Sequence, residues 1–165
     1  NDVDRLLTSS GGALVTTILD YYRLPTDFPG MADRPQSGST GQNKVRHVEQ
    51  AIHEHFGCPA NFLPFLALHE FEAWLFSSPE VLPRVLTARE KEDKFARIID
   101  RVNSPEDINE RPEKAPSKRI EKLFPGYRKT LHGPLAAQRI GLDGIREACP
   151  HFNTWMSKLE AYAAT

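Results

Sequence analysis

The run NFLPFLALHEFEAWLF, Asn61 to Phe76, constrains the fold of this chain more than any other stretch. Phe62 to Leu68 is continuously apolar and follows the turn signals Gly57 and Pro59. It reads as a buried strand, with a buried helix the alternative that periodicity leaves open. His69, Glu70 and Glu72 come next, and Ala73 to Phe76 resume the apolar pattern. A strand that ends in ionisable residues and passes straight into a helix is where open α/β sheets place their sites. If the chain is helical from His69 onward, His69 and Glu72 share a face and Glu70 points away. Two readings stay open. Either His69 and Glu72 face a site, or His69 caps the strand and the glutamates are solvated first-turn carboxylates favoured by the helix dipole.

The flanking sequence gives this run its neighbours. Val3, Leu6 and Leu7 predict a helix end, closed by Ser9, Ser10, Gly11 and Gly12. Ala13 to Leu19 is rich in β-branched residues and predicts a buried strand ending at Asp20. Pro25, Asp27, Pro29 and Gly30 mark a turn-rich loop, and Asp33 to Asn43 predicts a mobile one. Val45, Val48, Ile52, His55 and Phe56 form one helical face that stops at Gly57. Strand, helix, strand is a βαβ pattern and favours a parallel sheet. Two strands make a poor sheet, and the chain opens at Asn1 in helix-like sequence. We therefore expect one or more strands upstream of Asn1.

Beyond Phe76 the expectation is helix alone. Predicted helices run from Glu80 to Leu86, Arg89 to Val102, Ser117 to Phe124, Pro134 to Ile140, Leu142 to Ala148 and from Pro150 onward. Ser104 predicts an N-cap before Pro105. The pattern predicts one domain over residues 1–165, with an α/β part at 1–76 and a helical part at 77–165. A chain of 165 residues buries a sizeable core. Its net charge of -1 advertises neither nucleic acid nor membrane across the whole surface, so any such surface is local. No run has the length of a membrane span, and none has the order of a signal peptide. Cys58 and Cys149 match no metal-ligand spacing, which suits a cytoplasmic protein with free, mostly buried thiols.

Three groups of residues could carry chemistry. Asp20 at a strand end is either a cap or a metal or general-base carboxylate. Asp27, in the loop after it, could return to the same point, and spaced aspartates suit Mg²⁺. The second group is His69 and Glu72. The third is basic: from Arg111 to His132, seven Lys and Arg residues stand against Glu113 and Glu121. Lys118, Arg119, Tyr127, Arg128, Lys129 and His132, at a helix start and a Pro-Gly turn, would suit a phosphate or a nucleic-acid backbone. A solvated charged face is the alternative.

The segments TTILDYYRLPTDFPG, HEFEAWLF, APSKR, FPGYRKTLHGP, RIGL and CPHFNTW, in this order, resemble the bacterial domain-of-unknown-function family 4276 over nearly the whole chain. That family is similar to Toprim-type domains, metal-dependent folds of topoisomerases, primases and nucleases. The resemblance implies a Toprim-like parallel sheet, lacking its first strand here, with a C-terminal helical layer. It also implies a Mg²⁺- or Mn²⁺-dependent phosphodiesterase acting on nucleic acid, with an ATPase partner in phage defence. Asp20, Asp27 and Glu72 would hold the metal, and His69 or His132 would move protons. Two family features are missing: no V-E-G-like segment supplies the first glutamate, and Tyr22 stands at the second position of D-x-D. The rival expectation is a non-catalytic subunit that binds nucleic acid or regulates an ATPase.

Overall fold

The computed structural model describes residues 2–35, 40–108 and 115–164. The chain is mixed α/β and mostly helical, with short parallel ladders. It divides into two compact units, Asn1–Leu68 and His69–Thr165, and the division falls inside the NFLPFLALHEFEAWLF run. Among the described residues no helix is long and apolar enough to cross a membrane.

In the first unit, helix α1 (Asp2–Ser9) ends at Gly11 and Gly12, both at positive φ. The expected strand from Ala13 is shorter and broken. It forms β1 (Val15–Thr16) and β2 (Leu19–Asp20), which pair in parallel with β3 (Phe62–Leu63) and β4 (Leu66–Ala67). Val15 faces Phe62 and Leu19 faces Leu66, so both ladders keep one register. Pro64 accounts for the break, because it has no N–H to give a ladder. Across the gap Thr17 stands in: its Oγ1 accepts the Phe65 N–H at 3.1 Å. The strand is also less buried than expected, with Ile18 58% and Leu19 41% exposed.

Helix α2 (Gly41–His55) crosses between the strands and buries Val45, Val48 and Ile52. Its N-cap is Thr40, whose side chain accepts the Asn43 N–H at 3.2 Å. The mobile loop expected from Asp33 to Asn43 therefore ends earlier, and residues 36–39 lie outside the described ones. Val15, Met31, Phe62, Leu66 and Leu68 complete this core with the α2 face. Glu49, on α2, accepts the Leu66 N–H at 2.9 Å and ties the helix to β4. Gly30, at φ 76°, is a place where only glycine fits: a Cβ there would lie 2.6 Å from Ala51 Cβ. Cys58 is exposed, against expectation, at positive φ in the turn after Gly57.

The second unit opens with a 3₁₀ helix, Phe71–Ser77, buried on nearly every side. Around it stand α3 (Val81–Val85), α4 (Glu92–Ile99), a 3₁₀ turn Pro105–Asp107, α5 (Pro116–Leu123), α6 (Lys129–Ala148) and α7 (Pro150–Ala163). Leu75, Phe76, Leu82, Phe95, Ile120 and Phe124 form its core, with Phe76 stacked on Phe95 at 4.3 Å between centroids. Helix α6 starts at Lys129, earlier than the predicted Pro134, and kinks at Gly141, where φ is 78°. Ser104 caps the Pro105 turn as predicted, accepting the Glu106 N–H at 3.1 Å.

Candidate functional site

The 3₁₀ helix corrects the geometry expected after the strand. His69 precedes it, and Glu70 is its N-cap in extended conformation, φ −98° and ψ 160°. His69 and Glu72 therefore share no helical face. Glu70, set aside as pointing away, is 5% exposed, the same as Glu72. Neither glutamate is solvated. Burial of a carboxylate demands partners, and the second unit supplies them.

Glu70 completes the start of α5. Ala115 stands at that N-cap without a capping side chain, and Pro116 follows as the first helical residue. Glu70 Oε2 accepts the Ser117 N–H at 3.1 Å, a cap supplied from a distant segment. The same device recurs at α7, which begins Cys149-Pro150 with no side-chain cap. There Glu106 accepts the His151 N–H at 2.8 Å and the Phe152 N–H at 3.0 Å. Burial raises the Glu106 pKa, against the pull of these two N–H groups. A proline-started helix without Ser, Thr, Asp or Asn before it signals a cap from elsewhere. That signal was present in Ala115-Pro116 and Cys149-Pro150, and the caps are Glu70 and Glu106.

Lys129 gathers the two glutamates of the HEFE segment. Its Nζ lies 3.3 Å from Glu72 Oε1 and 3.7 Å from Glu70 Oε1. The Tyr127 hydroxyl donates to Glu72 Oε1 over a long 3.5 Å. Burial first, then the Glu72 carboxylate, raise the Tyr127 pKa, so the phenol stays protonated. Gly133 makes room for this contact, since a Cβ there would lie 3.1 Å from the Tyr127 hydroxyl and 3.2 Å from the Phe71 ring. Glycine in the HGP motif is thus explained by a close approach. His132 Nδ1 accepts the Arg128 N–H at 2.9 Å and closes the first turn of α6.

The remaining candidates are placed as follows. Lys118 is exposed and pairs with Glu121 at 2.8 Å, which raises its pKa. Arg119 is half-buried, Arg128 is exposed, and Arg111 and Lys114 lie outside the described residues. His69 is half-buried, and its Nδ1 is buried with no hydrogen-bond partner. Burial lowers its pKa to about 4, against the opposing charge of Glu70, so the ring is neutral near pH 7. In the first unit, Asp20 ends β2 and lies 4.0 Å from Arg23 Nε. Asp27 is exposed at the edge of a mainly apolar cavity of about 610 Å³, beside Leu19, Phe28, Ile52 and Phe56.

These positions bear on a metal. Among the described residues no three His, Cys, Asp or Glu side chains come together to hold one. Glu70 and Glu72 meet at a single cation, but that cation is an ammonium and the neighbouring His69 completes no third donor. Among the described residues, then, no three-donor metal centre is formed.

Residues 1–160 match the family described as a domain of unknown function, DUF4276. The chain belongs to the DUF4276 family. The match spans both units and every candidate residue named above. No curated protein and no solved structure matches the chain.

Proposed function

We propose that this DUF4276 chain binds nucleic acid through its second unit, gripping the sugar-phosphate backbone at the starts of α5 and α6. The observation that carries the reading is electrostatic. Neither helix has an acidic residue in its first turn, and both open with basic side chains, Lys118 and Arg119 on α5 and Arg128 and Lys129 at α6. Cations at the positive end of a helix dipole are unfavourable unless an anion joins them. Glu70 and Glu72 answer part of this charge by holding Lys129, and Glu121 answers Lys118. Arg128 is exposed beside them, with no ion-pair partner among the described residues, and is the principal backbone contact in this reading.

The test is a salt titration of DNA binding. The slope of log affinity against log salt falls by about 1 for each lost phosphate contact. Arg128→Ala lowers the slope by that amount, whereas Lys118→Ala, whose cation is already paired, changes it less. Equal slopes for wild type and Arg128→Ala would remove the reading.

A second reading has one observation in its favour. Two buried carboxylates, Glu70 and Glu72, facing one cation are more than a solvated helix start needs. By its resemblance to Toprim-type domains the chain would then be a Mg²⁺- or Mn²⁺-dependent phosphodiesterase, with Asp20, Asp27 and Glu72 as metal donors and His69 or His132 moving protons.

A further inference from the structure

A cleft of about 280 Å³ lies in the second unit between the end of α3 and the α5–α6 turn. Resting on the backbone-binding reading above, we infer that it takes one unpaired base of the bound strand. Its lining is mixed: Val85, Leu86, Phe124 and Pro125 give apolar surface, Thr87, Lys91 and His132 give polar surface, and none of its lining residues is acidic. Two donors stand in these walls. Lys91 Nζ is held in place, donating to the Leu123 carbonyl at 2.7 Å and lying 5.5 Å from the Phe124 ring centroid. One hydrogen bond leaves its ammonium with further protons to give. His132 is the second donor. Because its Nδ1 accepts the Arg128 N–H, the neutral ring carries its proton on Nε2.

A space that combines apolar patches with cationic and N–H donors and no carboxylate matches a flat ring whose edge carries carbonyl oxygens and bare nitrogens. An unpaired nucleobase has that chemistry, and its faces are sequence-tolerant stacking surfaces. His132 also joins this cleft to the phosphate contact, since it lines the cleft and is bonded to the backbone of Arg128. A phosphate at Arg128 would thus sit next to a base in the cleft. Duplex DNA keeps its bases stacked and cannot fill it.

The test compares labelled oligo(dT) with an abasic oligomer of the same length, using the whole chain and fluorescence anisotropy. Gly126 offers a blocking variant: it lines the cleft, and a Cβ there meets nothing within 4 Å. Gly126→Phe therefore adds a bulky side chain at the cleft wall with no clash at its Cβ. Wild type is expected to bind oligo(dT) about tenfold more tightly than the abasic oligomer. Gly126→Phe loses that advantage and keeps its abasic affinity, which also shows that it folds. Equal binding of the two oligomers by wild type overturns the inference and leaves the backbone reading standing. A folded Gly126→Phe variant that keeps the advantage places the base elsewhere and overturns it too. Absence of binding to either oligomer removes the backbone reading and this inference with it.

Discussion

Two buried glutamates start helices that their own sequences leave uncapped. Glu106 is the fuller case, since each of its oxygens accepts one N–H of α7. Glu106→Ala leaves two buried donors without partners, at a cost of about 2–4 kcal/mol. Glu106→Gln keeps one acceptor oxygen and loses less. Urea unfolding of the two variants measures the difference, and equal midpoints for wild type and Glu106→Ala would deny the capping role. His69 gives a prediction with a sign. Its pKa is depressed to about 4 in the folded chain by burial, so between about pH 6.5 and 4 the unfolded chain binds more protons. Stability is fully present above pH 6.5 and falls as pH drops toward 4, by on the order of 3 kcal/mol. Against His69→Gln, the wild-type melting temperature falls more steeply across that window. Identical profiles would show that the ring titrates normally. Of these residues the sequence showed His69 and Glu72, because ionisable groups after an apolar run stand out. It hid Glu70, because the direction of a side chain depends on whether the helix begins at His69 or at Phe71.

At the scale of elements, the break in the parallel pairing is where one side chain matters most. Pro64 cannot donate, and Thr17 Oγ1 takes the Phe65 N–H in place of the missing ladder. Thr17→Val keeps the shape and removes the hydroxyl, leaving that N–H unpaired at a cost of about 1–2 kcal/mol. Thr17→Ser keeps the hydroxyl and recovers most of the loss. Chemical denaturation compares the three proteins, and a Thr17→Val variant as stable as wild type would show that the bridge contributes nothing. The βαβ order, the Gly57 stop, the Ser104 cap and the Pro150 start were legible because each rests on signals a few residues apart. The broken strand was less so, although Pro64 carried the warning. A helix after the strand was legible, but its 3₁₀ type and its start at Phe71 were not: a nearly all-apolar segment leaves no stripe from which to count a period.

For the whole molecule, the question is whether the chain binds a metal at all. Asp20 and Asp27 belong to the first unit and Glu70 and Glu72 to the second. Mg²⁺ is commonly held by one or two carboxylates together with waters and substrate phosphate, so a few donors at one point would suffice for cleavage. Binding alone needs no such point. A metal that binds only the folded chain raises its melting temperature by mass action, which makes Mn²⁺ a probe independent of activity. The binding reading expects no Mn²⁺-induced rise and no nicking of supercoiled plasmid by the intact protein, while anisotropy still reports DNA binding. Nicking that requires Mn²⁺ and disappears in both Asp20→Asn and Glu72→Gln would replace it with the cleavage reading. A melting shift lost in Glu72→Gln but kept in Asp20→Asn would confine the metal to the second unit, where Lys129 must then yield its place between Glu70 and Glu72.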